Sequence, residues 1–371
     1  MLNLHQRFLA PVIIASIEIL RVDNHYFVRS TSADGTVGIA NANDRFAYVW
    51  PLAQQLIVPY FVGKDARDLE ALVDGVYLAK SNYKLAGLAL WICVACVELS
   101  LFDLLGKLAG QSVGELLGSV IRRQIPVYLS SGLRDTTPEQ EVEWLSRRLA
   151  ETHCKAVKLK VGGRMSSNAD ASPGRSERLV SLARKAWGDN VTLYVDANGS
   201  YDATTAIQVG GMLEAHGVSL FEEPCPFDEY EQTKQVADAL EMMVSGGEQD
   251  TSVARFRWLI QNRGVDMVQP DLVYNGGFIR CLRVARMAEA AGMWITPHCP
   301  RADPNLAYML HFASVVPNLG PFQEYRAQGP QPSPWWTSPT FESREGVVGV
   351  PTGPGLGVEY NPDLWSRAEI L

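Results

Sequence analysis

Hydrophobic positions change their spacing along this chain, and the first change separates two kinds of secondary structure. Between residues 14 and 41, apolar and polar residues alternate in three short runs that are separated by Asp, Asn and Gly, which predicts an antiparallel meander. Beyond it the apolar residues recur at helical spacing. The predicted helices cover residues 49–61, 67–80 and 87–109. We therefore predict an α+β unit over residues 1–120.

From residue 125 onward, short apolar runs alternate with amphipathic helical segments. Eight strands with seven helices between them are predicted, the strands over residues 125–130, 157–161, 193–197, 220–223, 242–246, 266–270, 293–297 and 321–325. Such alternation implies parallel strands joined by right-handed crossovers, and eight of them close a barrel. The predicted fold is α/β, a (β/α)7β TIM-type barrel over residues 121–328. Residues 329–371 are rich in Pro, Gly and Trp and are predicted to return to the N-terminal unit.

Composition and charge narrow the class of protein. The 371 residues are 47% hydrophobic and carry a net charge of −8, so the chain can bury large cores and lacks the basic footprint of a nucleic-acid binder. Six scattered cysteines fit a reducing compartment, and Cys93 and Cys96 lie in an apolar helical run that indicates packing rather than metal binding. With no secretion signal or membrane-length apolar run recognised, we expect a cytoplasmic homo-oligomer that binds no membrane.

Acidic residues recur at the ends of the predicted strands. Asp196, Glu222 and Glu248 are spaced 26 residues apart, which is about the length of one βα unit. Because the carboxyl ends of parallel strands meet at the barrel mouth, these acids should converge there. Converging carboxylates repel each other without a cation, and a donor set of oxygen alone favours Mg²⁺. The alternative is a set of solvated loop acids.

Two lysines share one face of the second barrel strand. Lys158 and Lys160 are two residues apart, so both point into the barrel. We expect each lysine to lower the pKa of the other and a nearby divalent cation to lower both, so that one can be neutral and act as a general base. The alternative is that both lysines only neutralise the acid cluster.

Asp271 and His298 end the sixth and seventh predicted strands, so the carboxylate can orient the imidazole and raise its pKa. His298 and Lys160 would then flank the metal from two sides, with the α-carbon of a carboxylate substrate between two proton carriers. On the eighth strand, Glu324 is expected to be able, if protonated, to donate a hydrogen bond to the oxyanion of an enediolate.

The set just described resembles the enolase superfamily, and within it the mandelate racemase subgroup of the mandelate racemase/muconate lactonizing enzyme family. The motifs are Lys158-Leu-Lys160, Asp196-Ala-Asn198, Glu222-Glu223-Pro224, Gly247-Glu248, Asp271, His298 and Glu324. The muconate-lactonizing subgroup instead carries a lysine where this chain has Asp271. The resemblance also covers the N-terminal unit, which it identifies as a capping domain.

The resemblance implies roles for these residues. Mg²⁺ would lie on Asp196, Glu222 and Glu248, with Lys160 and the His298–Asp271 dyad as the acid/base pair. Lys158 and Glu324 would hold the substrate carboxylate, and Asn198 would assist.

The resemblance does not determine the substrate, which depends on loops of the capping domain. The loop between the first two strands, Asp23-Asn24-His25, is very short, unlike relatives with a long lid. Polar candidates for the pocket are Asn24, His25, Arg45, Tyr48, Arg301 and Arg326, and apolar candidates are Phe46, Trp50 and Trp335. The arginines could bind a second carboxylate or sugar hydroxyls, or serve on the surface.

We expect Mg²⁺-dependent abstraction of the α-proton of a small-molecule carboxylate. The larger polar set favours dehydration of an acid sugar to a 2-keto-3-deoxy acid. The alternatives are racemisation or epimerisation of a 2-hydroxy acid or related carboxylate, and a catalytically silent metal-binding barrel.

Overall fold

The computed structural model describes residues 2–371. An antiparallel sheet opens the chain, with strands β1 (Ile14–Val22), β2 (His25–Ser32) and β3 (Val37–Asn41). Its short first turn is possible because Asp23 adopts a left-handed conformation with a φ of 52°, which Asp and Asn tolerate better than most residues. The meander predicted from the alternating pattern is present.

Six α-helices surround this sheet: α1 (Leu4–Arg7), α2 (Phe46–Leu52), α3 (Val58–Phe61), α4 (Leu69–Leu78), α5 (Leu88–Ala109) and α6 (Val113–Leu117). A π-helical turn over Ala53–Ile57 joins α2 to α3, so the helix predicted over 49–61 begins earlier and is not uniform. The α5 helix lies directly on β3, where a Cβ on Gly38 would collide with the main chain of Ser100 and Leu104.

The α5 helix corrects the expectation that the chain has no apolar run of membrane-spanning length. By length and composition it could cross a membrane, but 89% of its most apolar window is buried inside the protein. Because its neighbours are the sheet and the barrel helices, its apolar surface is used in the core.

Eight parallel strands form the second unit: β4 (Gln124–Ser130), β5 (Ala156–Lys160), β6 (Thr192–Asp196), β7 (Val218–Glu222), β8 (Met243–Gly246), β9 (Met267–Val268), β10 (Trp294–Ile295) and β11 (Gln323–Arg326). They pair in the order β10-β9-β8-β7-β6-β5-β4-β11. A bridge between Ile295 and Leu319 joins the two ends of this order.

Seven helices connect these strands: α7 (Pro138–Thr152), α8 (Arg175–Trp187), α9 (Ala203–Ala215), α10 (Tyr230–Ala239), α11 (Val253–Gln261), α12 (Phe278–Ala290) and α13 (Leu306–Val315). The α7 helix begins with a capping box formed by Thr137 and Gln140, with Pro138 in the first turn. The (β/α)7β TIM-type barrel with an N-terminal α+β unit is confirmed.

The C-terminal residues contact both units. They contain β12 (Trp336–Ser338), β13 (Val347–Gly349), β14 (Glu359–Tyr360), α14 (Asp363–Ser366) and β15 (Glu369–Ile370). The β13 strand pairs with β4 of the barrel, whereas β15 extends the N-terminal sheet beside β1. The indole of Trp335 lies 3.9 Å, between ring centroids, from the imidazole of His25.

Candidate active site

Three acids meet at the carboxyl ends of neighbouring barrel strands. Asp196 is the last residue of β6, Glu222 is the last residue of β7, and Glu248 follows β8 by two residues. One carboxylate oxygen from each lies within 4.8 Å of the others, and all three side chains are buried. The pairing of Asp196 with Glu222 across β6 and β7 explains this convergence.

The hydrogen bonds of Glu222 show that this acid cluster is incomplete by itself. Its Oε2 accepts from Lys158 Nζ at 2.7 Å and from Gln269 Nε2 at 2.9 Å, whereas its buried Oε1 has no partner. Burial raises the pKa of Glu222 to about 8, and the neighbouring carboxylates add to this against the opposing effect of Lys158. Buried oxygens without donors are rare, and three acids with such an oxygen fit a hard divalent cation such as Mg²⁺.

The two lysines of β5 differ in surroundings. Lys158 is completely buried, with its Nζ 2.7 Å from both Glu222 Oε2 and Glu324 Oε1. Burial alone would lower the pKa of Lys158, but Glu222, Glu324 and Asp196 raise it well above its usual value. Our expectation of a lowered pKa is therefore wrong for Lys158, because carboxylates outweigh the neighbouring ammonium. Lys160 lies closer to the pocket, with its Nζ on Asp196 Oδ2.

His298 and Asp271 form the predicted pair. The His298 Nδ1 lies 2.8 Å from Asp271 Oδ2, and its Nε2 lies 3.3 Å from Glu248 Oε2. Asp271 is itself oriented by the amides of Val273 and Tyr274, which donate to its Oδ1. Burial alone would lower the pKa of His298, but Glu248, Glu324 and Asp271 raise it to about 10. The imidazole is thus held as a proton donor in this arrangement.

Glu324 does not meet the condition under which it could donate a hydrogen bond, which was that it be protonated. Its Oε1 accepts from Ser130 Oγ at 2.7 Å and contacts Lys158, while its Oε2 accepts from the amide of Cys299 at 2.8 Å. Burial raises its pKa, but Lys158 and His298 together lower it below its usual value. The carboxyl group is therefore ionised and accepts hydrogen bonds, because every neighbour on it is a donor.

Asn198, which the resemblance gave an assisting role, lies against Asp196 and also contacts Arg134, a residue that the sequence analysis missed. Its Nδ2 donates to Asp196 Oδ2 at 3.0 Å, and its Oδ1 accepts from Arg134 Nη2 at 3.0 Å. Arg134 follows the first barrel strand, where strand-end reasoning could have found it. Gln269 directly follows β9, so the same reasoning about strand ends could have found it.

The three arginines predicted for the substrate lie in different places. A central pocket of about 510 Å³ opens above Lys160, Glu248 and His298, and Arg326 lines it. Arg45 is outside this pocket and donates to Tyr274 Oη at 3.0 Å. Arg301 lines an adjoining side pocket of about 330 Å³, where its guanidinium lies 3.4 Å from Asp44 and 3.7 Å from Asp303. Of the three, only Arg326 lines the central pocket, whereas Arg301 also lines a small pocket of about 100 Å³ that includes Asp271 and His298.

The aromatic candidates are also separated from the catalytic groups. Phe46 is buried, Tyr48 is exposed, and Trp335 lines the side pocket together with His25. Among residues 2–371, the lining of the central pocket contains no aromatic ring other than the imidazole of His298. This lining matches a polar substrate better than an aryl one.

Comparison with known proteins adds independent findings. Residues 140–364 match the family described as enolase C-terminal domain-like. The chain is 29% identical to D-galactarolactone cycloisomerase of Agrobacterium fabrum, covering 91% of this chain and 89% of that protein. It is 27% identical to arabinonate dehydratase of Saccharolobus solfataricus, over 88% of this chain and 85% of the relative.

Solved structures agree in fold over nearly the whole chain. A Roseobacter denitrificans protein, provisionally named a racemase, has a TM-score of 0.92 and 36% identity, covering 97% of this chain and 99% of that one. A mandelate racemase/muconate lactonizing protein of Paracoccus denitrificans PD1222, solved with magnesium, has a TM-score of 0.88 and 30% identity, over 97% and 98% of the two chains. The chain therefore belongs to the enolase superfamily, in the family of mandelate racemase and muconate lactonizing enzyme.

Proposed function

We propose that this protein is a Mg²⁺-dependent enzyme that dehydrates an acid sugar to a 2-keto-3-deoxy acid. One observation carries the proposal: the acid cluster lies between two proton carriers. Lys160 contacts Asp196 at one end of the cluster, and His298 contacts Glu248 at the other. Their strands, β5 and β10, are three places apart by the shorter way round the ring.

Asp196, Glu222 and Glu248 would hold Mg²⁺, and the ion would supply positive charge that stabilises the enediolate formed when the α-proton leaves. Lys160, in its neutral form, would take that α-proton through Nζ. Lys158 is buried between Glu222 and Glu324, so we assign it a positioning role in which it balances charge and orients both carboxylates.

His298 would complete the elimination. Its Nδ1 is held by Asp271, so the Nε2 proton is directed toward the pocket. That proton would pass to the β-hydroxyl, water would leave, and the resulting enol would become the 2-keto acid after protonation at C3. A protonated imidazole suits this step, because departure of hydroxide without a general acid is slow.

Two further observations favour dehydration. The central pocket is lined by Ser130, Ser131, Asn198, Gln328 and Gln331, which can pair with the hydroxyls of a sugar acid. A relative, the Saccharolobus solfataricus protein, is named arabinonate dehydratase. We therefore place a polyol carboxylate in this pocket.

Racemisation or epimerisation is the second candidate, since proton carriers on both sides of the cluster suit removal and return of a proton at one carbon. The Roseobacter relative provisionally named a racemase supports it. The two reactions share the first step and differ in whether His298 protonates the α-carbon or the β-hydroxyl.

The cysteines bear on the cellular location of the protein. All six cysteines are free and buried, which fits a reducing compartment, and we propose that the enzyme acts in the cytoplasm on a small carboxylate. Assembly into a homo-oligomer stays a prediction.

A library of sugar acids, assayed with semicarbazide for 2-keto products, tests the proposal. We expect a Mg²⁺-dependent keto product from at least one member. Exchange of the α-proton in D₂O without any keto product, on a non-sugar 2-hydroxy acid, would instead establish racemisation. Absence of both product and exchange across the library would favour a catalytically silent barrel.

A further inference from the structure

The rim of the central pocket carries three arginines: Arg134, Arg164 and Arg326. The carboxylates in the same lining are Glu248 and Glu324, and both belong to the catalytic cluster. Glu324 is occupied by Lys158, Ser130 and the amide of Cys299, so it does not neutralise the rim. The opening of the pocket therefore carries three arginines and no carboxylate besides those of the catalytic cluster.

Arg164 is an arginine without a counter-ion. Among residues 2–371, neither Arg164 nor Arg326 has a carboxylate within ion-pair distance or a side-chain hydrogen bond. Arg164 and Arg326 are exposed, whereas Arg175 and Arg301, which are buried or half-buried, pair with Glu141 and with Asp44 and Asp303 respectively. The two exposed guanidinium groups at the pocket are therefore available to an anionic group that enters it.

Arg134 places a second cation beside Arg164. Its Nε and Nη2 donate to the main-chain oxygens of Gly162, Val161 and Asp196, which leaves Nη1 unused. Arg134 and Arg164 line the same pocket, so their like charges face one opening. Burial lowers the pKa of Arg134, Asp196 opposes this, and Arg164 adds to the lowering. An anion between them would remove this repulsion.

The backbone holds Arg164 in place. Its φ is 62°, a left-handed conformation that is uncommon for an arginine, and Met165 follows with a φ of 48°. The amide of Arg164 donates to Ser200 Oγ at 2.9 Å, and the amide of Met165 donates to Asn198 O at 3.0 Å. The loop after the second barrel strand is thus fastened to the loop after the third, with Arg164 at the pocket.

We propose that the substrate carries a second anionic group at the end remote from the reacting carbon, bound by Arg164 and by Nη1 of Arg134. This inference rests on the proposed function for the identity of the first carboxylate. Arg134 donates to the main-chain oxygen of Asp196 and to Asn198 Oδ1, so one short polyol chain can reach from the acid cluster to the arginines. A carboxylate and a phosphate ester each present two acceptor oxygens that can accept from two N–H groups of one guanidinium.

Binding to an inactive variant provides the test, so that turnover is not needed. Lys160→Met, loaded with Mg²⁺, would be titrated calorimetrically with matched pairs of sugar acids: hexarates, the corresponding hexonates, and 6-phosphogluconate against gluconate. We expect the doubly anionic member of at least one pair to bind about 10- to 100-fold more tightly, the range of a charge-assisted hydrogen-bond pair. Preference for the hexarate would identify a carboxylate, and preference for 6-phosphogluconate would identify a phosphate.

Arg164→Gln in the same background should abolish that preference while leaving hexonate binding within about twofold, and Arg164→Lys should retain part of it. Arg286→Gln is the matched control, since Arg286 is exposed on α12, remote from the pocket lining, and should leave the preference unchanged. Equal binding of singly and doubly charged acids, absence of binding by both, or an equal loss for both in Arg164→Gln would overturn the inference.

The binding data, combined with turnover assays of the unaltered enzyme, separate this inference from the proposed function. Tighter binding of the diacid, together with no keto product from the unaltered enzyme on any acid, would refute dehydration and leave the anion subsite standing. Turnover of hexonates and hexarates with equal kcat/KM would support dehydration and refute the subsite.

Discussion

Two regions of this molecule contain buried polar side chains that differ in their hydrogen-bond partners. At the barrel mouth they face one another, and Glu222 keeps an oxygen without a donor. The second region, here called the seam, is where α5, the barrel and the C-terminal segment meet, and it includes Glu98, Asp103 and His311. The buried polar side chains of the seam accept hydrogen bonds from main-chain amides. There Glu98 accepts from the amides of Phe278 at 2.6 Å and Ile279 at 3.0 Å and so caps the start of α12.

Two more residues of the seam follow the same pattern. Asp103 accepts from the amide of Leu356 at 2.7 Å, from that of Ile39 at 2.8 Å, and from Lys107. His311 accepts from the amide of Gly114 at 3.2 Å through Nδ1 and contacts Leu356 O at 3.0 Å through Nε2. These contacts link the N-terminal unit, the barrel and the C-terminal segment.

This difference distinguishes buried polar groups that stabilise the fold from buried polar groups that serve the active site. A buried acid whose partners are backbone amides is satisfied by the fold itself, so its removal should cost stability. A buried acid whose partners are other charged side chains, with an oxygen left over, is completed by a ligand, so its removal should cost activity. Four changes test this contrast.

The largest effect is expected at the mouth, from Glu222→Gln. Loss of one carboxylate from the cluster should lower kcat/KM by about 10³-fold or more, because the enediolate would lose its stabilising charge. Thermal unfolding without cation should change little. The stabilising shift that Mg²⁺ gives the unaltered protein should disappear. Full turnover of this variant in the presence of EDTA would contradict the metal assignment.

His298→Asn should reduce turnover by about 10²- to 10⁴-fold through loss of the general acid. Some exchange of the α-proton with D₂O should survive, because Lys160 remains. The melting temperature should stay close to that of the unaltered protein, as expected for the functional region. Normal turnover on the true substrate would show that the dyad has been assigned wrongly.

At the seam, Glu98→Ala should give the opposite result. Two amides at the start of α12 would lose their acceptor inside the protein, at a cost of about 2–3 kcal/mol in the free energy of unfolding. Activity at temperatures where the variant is folded should be retained. Glu143→Ala is the control, since this exposed residue has only an i,i+4 contact with Arg147 at 3.7 Å and should change stability by less than about 0.5 kcal/mol. Similar urea midpoints for both variants would break the comparison.

The smallest effect concerns pH. Burial lowers the pKa of His311 to about 4, so the folded protein holds it neutral while the unfolded chain protonates it at an ordinary pKa near 6.5. The unfolded state therefore binds the extra proton, and stability falls as pH falls from about 6.5 toward 4. Between pH 7.5 and 5.5 this contributes a loss of about 1 kcal/mol.

His311→Gln isolates that contribution. Glutamine can accept from Gly114 and donate to Leu356 without titrating, so the variant should show a weaker pH dependence than the unaltered protein in urea unfolding. Identical slopes from pH 7.5 to 5.5 would mean that His311 is not held neutral.

Particular residues show how far sequence reasoning reaches. Asp196, Glu222 and Glu248 were predicted to converge because each ends a parallel strand, and they do. Arg45 and Arg301 were equally plausible candidates from sequence, but Tyr274, Asp44 and Asp303 hold them outside the central pocket. Tyr274 and Asp44 each lie in a different unit from the arginine that they contact, and no spacing rule relates residues of different units, so these two contacts could not be predicted.

What the sequence by itself determined is the order of elements, the barrel and the residues at its mouth. Period-2 and helical spacing define strands and helices, and chain connectivity forces parallel strand ends to one side. Only the tertiary structure decided the charge states of Lys158 and Glu324, the position of Arg164 in the pocket lining, and the capping of α12 by Glu98. Those properties depend on distance and burial in three dimensions, since a pKa responds to neighbours in space and not to neighbours along the chain.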